Sequence, residues 1–316
     1  MKIRRTISLT LAAAMVLSLL GSNAMADDGQ GALAFVPENT MMVAVIDIDG
    51  LKKTTVFQDF MTAVMAEKEA KDGLKMLKDS TGFDPEKDIS TILIAVPPDV
   101  EKSENFLFVA KATVDEAKLI AYAKSEGAKL TEQTHEKVKY YEIDGEGGMA
   151  FVDGYILVAP KAAMKAAIET YKGKGTALKK NKDFSALVKT VDTSANIWVA
   201  ATLPAEIRKE MAKENPMAGD IEKVHASLDF VSGLKLRLSL LTASADTAKQ
   251  LVELANAGIQ GAGSDPSVKA MGFEPVIKGM KIAANGNDIE VSLDINETDL
   301  AAIKQTIQNM IQGGMR

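Results

Sequence analysis

Residues 233–258 read GLKLRLSLLTASADTAKQLVELANAG, and their pattern indicates the class of fold. Its first part alternates polar residues with Leu234, Leu236, Leu238 and Leu240. Ser244 then offers a preferred helix N-cap, and the helical pattern after it runs to Gly258. The segment Ile289–Ile295 repeats the two-faced strand pattern. Alternation with a period of two, beside hairpin turns, predicts antiparallel sheet with one face covered by helices.

An earlier segment has the same order of parts. Residues 104–127, ENFLFVAKATVDEAKLIAYAKSEG, also pass from a strand to a small polar cap and then to a helix that ends at glycine. Around these segments the order strand, helix, strand, strand, helix, strand, strand, helix occurs twice. We therefore predict an α+β fold of two similar modules, residues 27–190 and 191–316, each a mainly antiparallel sheet with helices packed on one face.

Local signals predict further elements within these modules. They indicate one helix over Val56–Leu77, and a helix opened by a capping box at Thr113–Glu116. A meander of strands is predicted over Val138–Ile143, Met149–Val152 and Tyr155–Ala159, with a two-residue turn at Asp153-Gly154. Glycine-rich residues 258–265 are predicted to form a flexible loop.

The N-terminus has the layout of a secretory signal peptide. The basic residues Lys2, Arg4 and Arg5 precede an apolar segment over residues 7–20, and Ala24-Met25-Ala26 supplies the small-x-small pattern of a cleavage site. A retained N-terminal anchor is the alternative. We expect residues 1–26 to be removed after Ala26, leaving a periplasmic or extracellular bacterial protein without a transmembrane segment.

Composition narrows the classes of protein. The 316 residues include no cysteine, which excludes disulfides and a lipoprotein anchor, while 47% hydrophobic and 25% charged residues are typical of a folded chain. The only charged residues among the first 26 are Lys2, Arg4 and Arg5, so the mature chain is more acidic than the overall net charge of −6. An acidic surface disfavours nucleic acid as a partner.

The two histidines give no metal or catalytic motif. His135 and Glu136 begin a zinc-protease pattern, but Lys139 stands where the second histidine is required. We interpret His135 as a solvent-exposed loop residue and His225, at a strand start, as a sheet residue. No cofactor, metal or catalytic residue is assigned.

Four other features have structural interpretations. Gly173–Thr176 lacks the spacing of a phosphate loop and is interpreted as a helix stop. Asp47 and Asp49 could suggest a calcium site, but no EF-hand glutamate follows, so helix capping is favoured. Trp198 is expected in the core. The same packing role is expected for the methionines Met41, Met42, Met61, Met65 and Met76.

Three longer segments resemble uncharacterised bacterial exported proteins that carry domains of unknown function. The segments are ALAFVPENTMMVAVIDIDGL at 32–51, GFDPEKDIS at 82–90 and GGMAFVDGYILVAPKAAMKAAIETYKG at 147–173. The resemblance covers most of residues 31–200, and its motifs mark strand, turn and helix boundaries. It implies a duplicated α+β envelope protein and brings no catalytic residues.

These observations predict a non-enzymatic envelope protein that binds a partner, scaffolds or assists assembly. The partner can be a protein or a small ligand. Two alternatives stay open: a periplasmic carrier of a small or lipidic ligand, and a hydrolase with an unfamiliar site. A pocket of ligand size would favour the carrier, and a converging carboxylate or Ser-Lys pair would favour the hydrolase.

Export yields the first testable prediction. N-terminal sequencing of the secreted protein should begin at Asp27, because signal peptidase cleaves after the small residue Ala26. An Ala24→Lys variant should retain the precursor mass, because a long charged side chain cannot occupy the small-residue position. A mature protein that still begins at Met1 would contradict the prediction.

Overall fold

A computed structural model describes residues 29–98, 106–266, 268 and 271–313, with side chains up to residue 306. The predicted signal peptide, residues 1–26, lies outside the described residues. The chain divides into two compact units, of which the first ends at Ala186 and the second begins at Leu187. Sequence analysis set the corresponding boundary after residue 190.

The strands of the first unit form an antiparallel sheet in the order β1-β2-β3-β7-β6-β5-β4. Their bounds are β1 Met42–Asp47, β2 Ile89–Val96, β3 Leu107–Ala112, β4 Leu130–His135, β5 Val138–Ile143, β6 Gly147–Val152 and β7 Tyr155–Pro160. The meander β5 to β7 and the turn at Asp153-Gly154 confirm the prediction. Strand β4 was not predicted.

The helices of this unit connect and cover the strands. They are α1 Ile48–Leu51, α2 Thr55–Ala66, α3 Lys68–Thr81, α4 Pro85–Asp88, α5 Glu116–Ser125 and α6 Lys161–Tyr171, with 3₁₀ helices at Ala32–Phe35 and Leu178–Lys180. The single helix predicted over residues 56–77 is wrong, because Glu67 is extended and separates α2 from α3. The N-cap of helix α5 is Asp115, whose side chain accepts a hydrogen bond from the Lys118 amide. The helix therefore begins later than the predicted capping box, which starts at Thr113.

Helices cover both faces of the first sheet. Tyr140 and Tyr141 are consecutive in β5, so their side chains leave opposite faces, and both are buried. Tyr141 belongs to an apolar core with Ile120 of α5, while Tyr140 lies beside Gly148, which faces Met164 of α6. The expectation that helices pack on one face is therefore wrong for this unit.

Gly148 of β6 shows how closely α6 approaches the sheet. A Cβ at this position would lie 3.2 Å from Cγ of Met164 and 3.4 Å from Cδ2 of Tyr140. The missing side chain leaves room for Met164, which is fully buried. A small residue in the strand thus allows an apolar helix to pack against it.

The second unit has a simpler sheet in the order β8-β9-β10-β12-β11, also antiparallel. Its elements are β8 Ile197–Thr202, α8 Ala205–Glu214, a 3₁₀ helix Pro216–Asp220, β9 Ile221–Asp229, β10 Leu234–Thr242, α9 Ala245–Ser264, α10 Glu274–Gly279, β11 Met280–Asn285, β12 Asp288–Ile295 and α11 Glu297–Gly313. Helix α7, Lys182–Val188, lies across the division between the units. Every pair of strands described in either unit is antiparallel.

The core of the second unit lies where α10 and α11 pack on one sheet face. Leu293 and Ile295 of β12 are buried against Ile303 of α11, with Phe273 and Val276 alongside. The alternating leucines of β10 point to this same face, as the sequence predicted. Helix α9 extends through Gly258, Gly261 and Gly263 to Ser264, so the predicted loop over residues 258–265 is wrong.

Two glycines in the second unit both have positive φ but differ in how closely another strand approaches them. Gly233 has φ +106, and a Cβ there would lie 2.1 Å from the carbonyl oxygen of Ile295. Gly286 has φ +61, with nothing within 4 Å of its Cβ position. Gly286→Ala should lower the free energy of unfolding by about 1–3 kcal/mol through strain alone. Gly233→Ala should lower it further, because strand β12 must also move.

Urea unfolding of the purified variants measures both losses on one scale. Equal losses for Gly233→Ala and Gly286→Ala would contradict the close approach of β12 to the β9–β10 turn.

Candidate interaction site

Helices α2 and α3 form a hairpin, here called the helical arm, with few buried residues. Within it only Met61, 9% exposed, and Thr81 are buried. Phe60 is 42% exposed, Met65 37% and Met76 49%. The packing role expected for the methionines therefore holds for Met61 and is wrong for Met65 and Met76.

Helix α2 is unusual among surface helices because it is almost uncharged. Its sequence, TVFQDFMTAVMA, contains Asp59 as its single charged residue. The charges of the arm lie on α3, where Lys75 pairs with Asp79 at 2.5 Å and Lys78 with Asp84 at 2.6 Å. Apart from the exposed Asp59, the surface exposed on α2 is therefore apolar or neutral, which is the pattern of an interaction surface.

The hairpin β4–β5 is the second notable feature of the first unit. Four ion pairs connect it to the neighbouring helices and the segment after α6: His135 with Glu169 at 2.7 Å, Glu136 with Lys174 at 2.5 Å, Lys139 with Glu116 at 2.5 Å, and Glu142 with Lys161 at 2.9 Å. These contacts occur on both sheet faces. They fix the position of the hairpin at the end of the sheet.

One of these pairs belongs to a three-residue cluster. Glu116 accepts hydrogen bonds from Lys139 and from the hydroxyl of Tyr141, which lies 2.7 Å away. Burial alone would raise the pKa of Glu116, but these two hydrogen bonds lower it overall. The pKa of Lys139 is raised, chiefly by its hydrogen bond to Glu116. Both groups are thus held in their charged forms, which suits anchoring rather than proton transfer.

His135 is not the exposed loop residue that the sequence indicated. It is the last residue of β4, is partly buried, and contacts Glu169 of α6 through Nε2. Glu169 also lines an open groove of about 510 Å³ together with Glu38, Asn39, Thr170 and Thr176. Sequence analysis missed this groove, because its residues come from segments more than a hundred residues apart.

Of the two aspartates at the end of β1, Asp47 has the capping role that the sequence favoured, whereas Asp49 does not cap a helix. Asp47 accepts from the Gly50 amide at 3.0 Å and caps α1. Asp49 is buried and pairs with Lys52 at 2.5 Å. Burial lowers the pKa of Lys52, and the Asp49 carboxylate opposes that shift. Lys52 also donates to the carbonyl of Ile89 at 3.2 Å, so the group connects α1 to β2.

Other residues singled out from the sequence lie apart from these features. Trp198 is 1% exposed, as expected for a core residue, and its indole Nε1 has no hydrogen-bond partner among the described residues. Helix α6 ends at Tyr171, and Gly173 has φ +74, so the predicted helix stop is confirmed. In the described part of the chain, no three His, Cys, Asp or Glu side chains are grouped to hold a metal ion.

The chain matches known proteins only distantly. No known protein family matches the chain, and no curated protein sequence matches it. Among solved structures, crystal form III of TP0453, a protein of Treponema pallidum, is distantly similar, with a TM-score of 0.48 and 11% identity over 86% of this chain and 96% of that chain. Crystal form I gives 0.46 and 10%, over 86% and 95%. The likeness assigns no family.

Among residues with a described structure, none of the helices is both long enough and apolar enough to cross a bilayer.

His225 generates a prediction of pH dependence. It lies mid-strand in β9, opposite Ser239 of β10, whose hydroxyl donates to Asp288. Burial lowers the pKa of His225 below its ordinary 6.5, and the Asp288 carboxylate opposes the shift. The unfolded chain therefore binds this proton more tightly, so the free energy of unfolding should fall as pH drops below about 6.5.

Urea unfolding at pH 7.5 and pH 5.5 measures this loss. His225→Gln should lose less stability between the two pH values than the wild type. Asp288→Asn should lose more, because removing the carboxylate lowers the pKa of His225 further. The same pH dependence in all three proteins would contradict the assignment.

Proposed function

We propose that this is an exported, non-enzymatic binding protein that docks on another protein through the helical arm. The observation that carries the proposal is the exposure of Phe60, Met65 and Met76 on a hairpin with almost no buried side chains of its own. Aromatic and methionine side chains are enriched in protein interfaces, where charged residues are depleted.

The character of α2 argues for a protein partner with an uncharged, apolar surface. A single carboxylate on α2, Asp59, leaves little to attract a strongly charged partner. The exposed methionines are flexible and adapt to the shape of the surface they contact. The exposed ring of Phe60, on the same helix as Met65, supplies a rigid anchor.

Carriage of a small ligand is the second candidate, and the open groove beside Glu169 favours it. Its volume of about 510 Å³ suits a small ligand, and the carboxylates of Glu38 and Glu169 would attract a cationic group. Thermal-shift assays with small polyamines such as spermidine would test it, with Glu38→Gln as the control. A stabilisation that Glu38→Gln abolishes would favour the carrier.

The duplication is part of the proposal. The order β1-β2-β3-β7-β6 in the first unit has the same sequence of connections as β8-β9-β10-β12-β11 in the second. In both, the last strand of the unit lies beside the third. This correspondence supports an origin of the two units from one ancestor, with the hairpin β4–β5 as an addition to the first unit.

Photo-crosslinking of the full-length chain in its native cells tests the docking proposal. A photoreactive amino acid at Phe60 or Met65 should give one discrete crosslinked species. The same amino acid at Ala66, an exposed position that points away from both side chains on a helix of 3.6 residues per turn, should not. Adding Met76→Ser should weaken the crosslink from Phe60, because it removes apolar contact area while leaving stability within about 0.5 kcal/mol.

Equal crosslinking from all three positions, or none from any, would refute docking through the arm. Circular dichroism of each variant confirms that helical content is unchanged.

A further inference from the structure

Strand β4 ends the sheet of the first unit and pairs with one neighbour. Its six residues, Leu130–His135, pair with β5, and among the described residues no other strand lies along its second side. This second side is called the open edge. Strand edges of this kind present backbone groups that can pair with another strand.

The hydrogen-bond pattern identifies the backbone groups that face the open edge. The Asp144 amide donates to the Lys129 carbonyl at 3.0 Å, so these residues form a hydrogen-bonded pair. In antiparallel strands such pairs alternate with non-bonded pairs. The N–H and C=O groups of Leu130, Glu132 and Thr134 therefore point away from β5, and those of the residues between them point towards it.

The side chains at these positions set the chemistry of the open edge. Leu130, Glu132 and Thr134 lie on the face that also carries Ile143, Tyr141 and Lys139 of β5. Leu130 is half-buried, whereas Glu132 and Thr134 are exposed. Lys139 of β5 is already paired with Glu116, and His135 at the end of β4 with Glu169. Glu132 is the only carboxylate of β4 and has no ion pair among the described residues.

A second copy of the chain is a poor occupant. The symmetric register that pairs all three outward-facing positions places Glu132 directly opposite the same carboxylate of the copy. Like charges in directly opposed positions destabilise strand pairing. A peptide with a basic residue at that position would instead form a favourable cross-strand pair.

We propose that the open edge of β4 binds an extended segment of a partner protein as an added antiparallel strand, with a lysine or arginine opposite Glu132 and an apolar residue opposite Leu130. Backbone hydrogen bonds from three positions hold the segment, and the side-chain pairs select it. The site is separate from the helical arm, so each can be tested without the other.

The test uses the mature protein and the peptide acetyl-Ser-Thr-Thr-Lys-Thr-Leu-Ser-amide. Amide exchange measured by NMR should be fast at Leu130, Glu132 and Thr134 in the free protein and slow at Gln133. The peptide should slow exchange at the three outward-facing positions. A peptide with glutamate in place of the lysine should bind about two- to fivefold more weakly.

Two variants at one position separate backbone from side-chain recognition. Glu132→Lys should reverse the preference between the peptides. Glu132→Pro should abolish binding of both, because it removes an outward-facing N–H, while Glu132→Ala should keep that N–H and bind both peptides equally. The intact hairpin is checked by slow exchange at Gln133.

Three results would overturn the proposal. The first is unchanged exchange at millimolar concentrations of both peptides. The second is an affinity that does not depend on the charge at position 132. The third is slowing of exchange with protein concentration in the absence of peptide, which would identify a second copy as the occupant.

Discussion

The opposite orientation of Tyr140 and Tyr141 in β5 is the constraint on which the first unit depends. Both rings are buried, so both faces of the sheet must be covered, and α5 and α6 cover one face each. Helices on both sides fix the hairpin β4–β5 against the sheet. The ion pairs His135–Glu169 and Lys139–Glu116 then connect its two faces to those helices. The open edge of β4 lies beyond this hairpin, because among the described residues no strand pairs with its second side.

In the second unit the apolar alternation is clearest in β10 and β12, whose leucine and isoleucine side chains face α10 and α11. The other face carries His225 and Arg237, but the buried Trp198 of β8 also lies on it. Sequence analysis predicted this arrangement because the alternation is visible in β10 and β12. It extended the same arrangement to the first unit, although β2, ISTILIAV, and β3, LFVAKA, are almost continuously apolar. Such continuous apolar runs indicate strands that are buried on both faces. They could have predicted that helices cover both faces of the first sheet.

Other features were hidden for identifiable reasons. Strand β4, LTEQTH, is polar, and its turn at Glu136-Lys137 lacks the asparagine or glycine that marks a two-residue hairpin, although both residues have positive φ. Helix α9 continues through three glycines, whose low helix propensity predicted a loop instead. The exposure of Phe60 and Met65 could not be predicted from the sequence of α2. An apolar helix is usually buried against another part of the protein, so its sequence predicts burial.

The open edge and the helical arm expose different kinds of surface, and the two proposals therefore call for different partners. An apolar helix face can pack against any apolar surface of complementary shape, so shape determines which partner it selects. A strand edge offers directional hydrogen bonds that any extended chain can make, so its selectivity must come from side chains. Glu132 provides that selectivity twice, because it attracts a basic residue and repels its own copy in the symmetric register. A single carboxylate on an otherwise neutral strand therefore keeps the edge available for a partner while it opposes self-association.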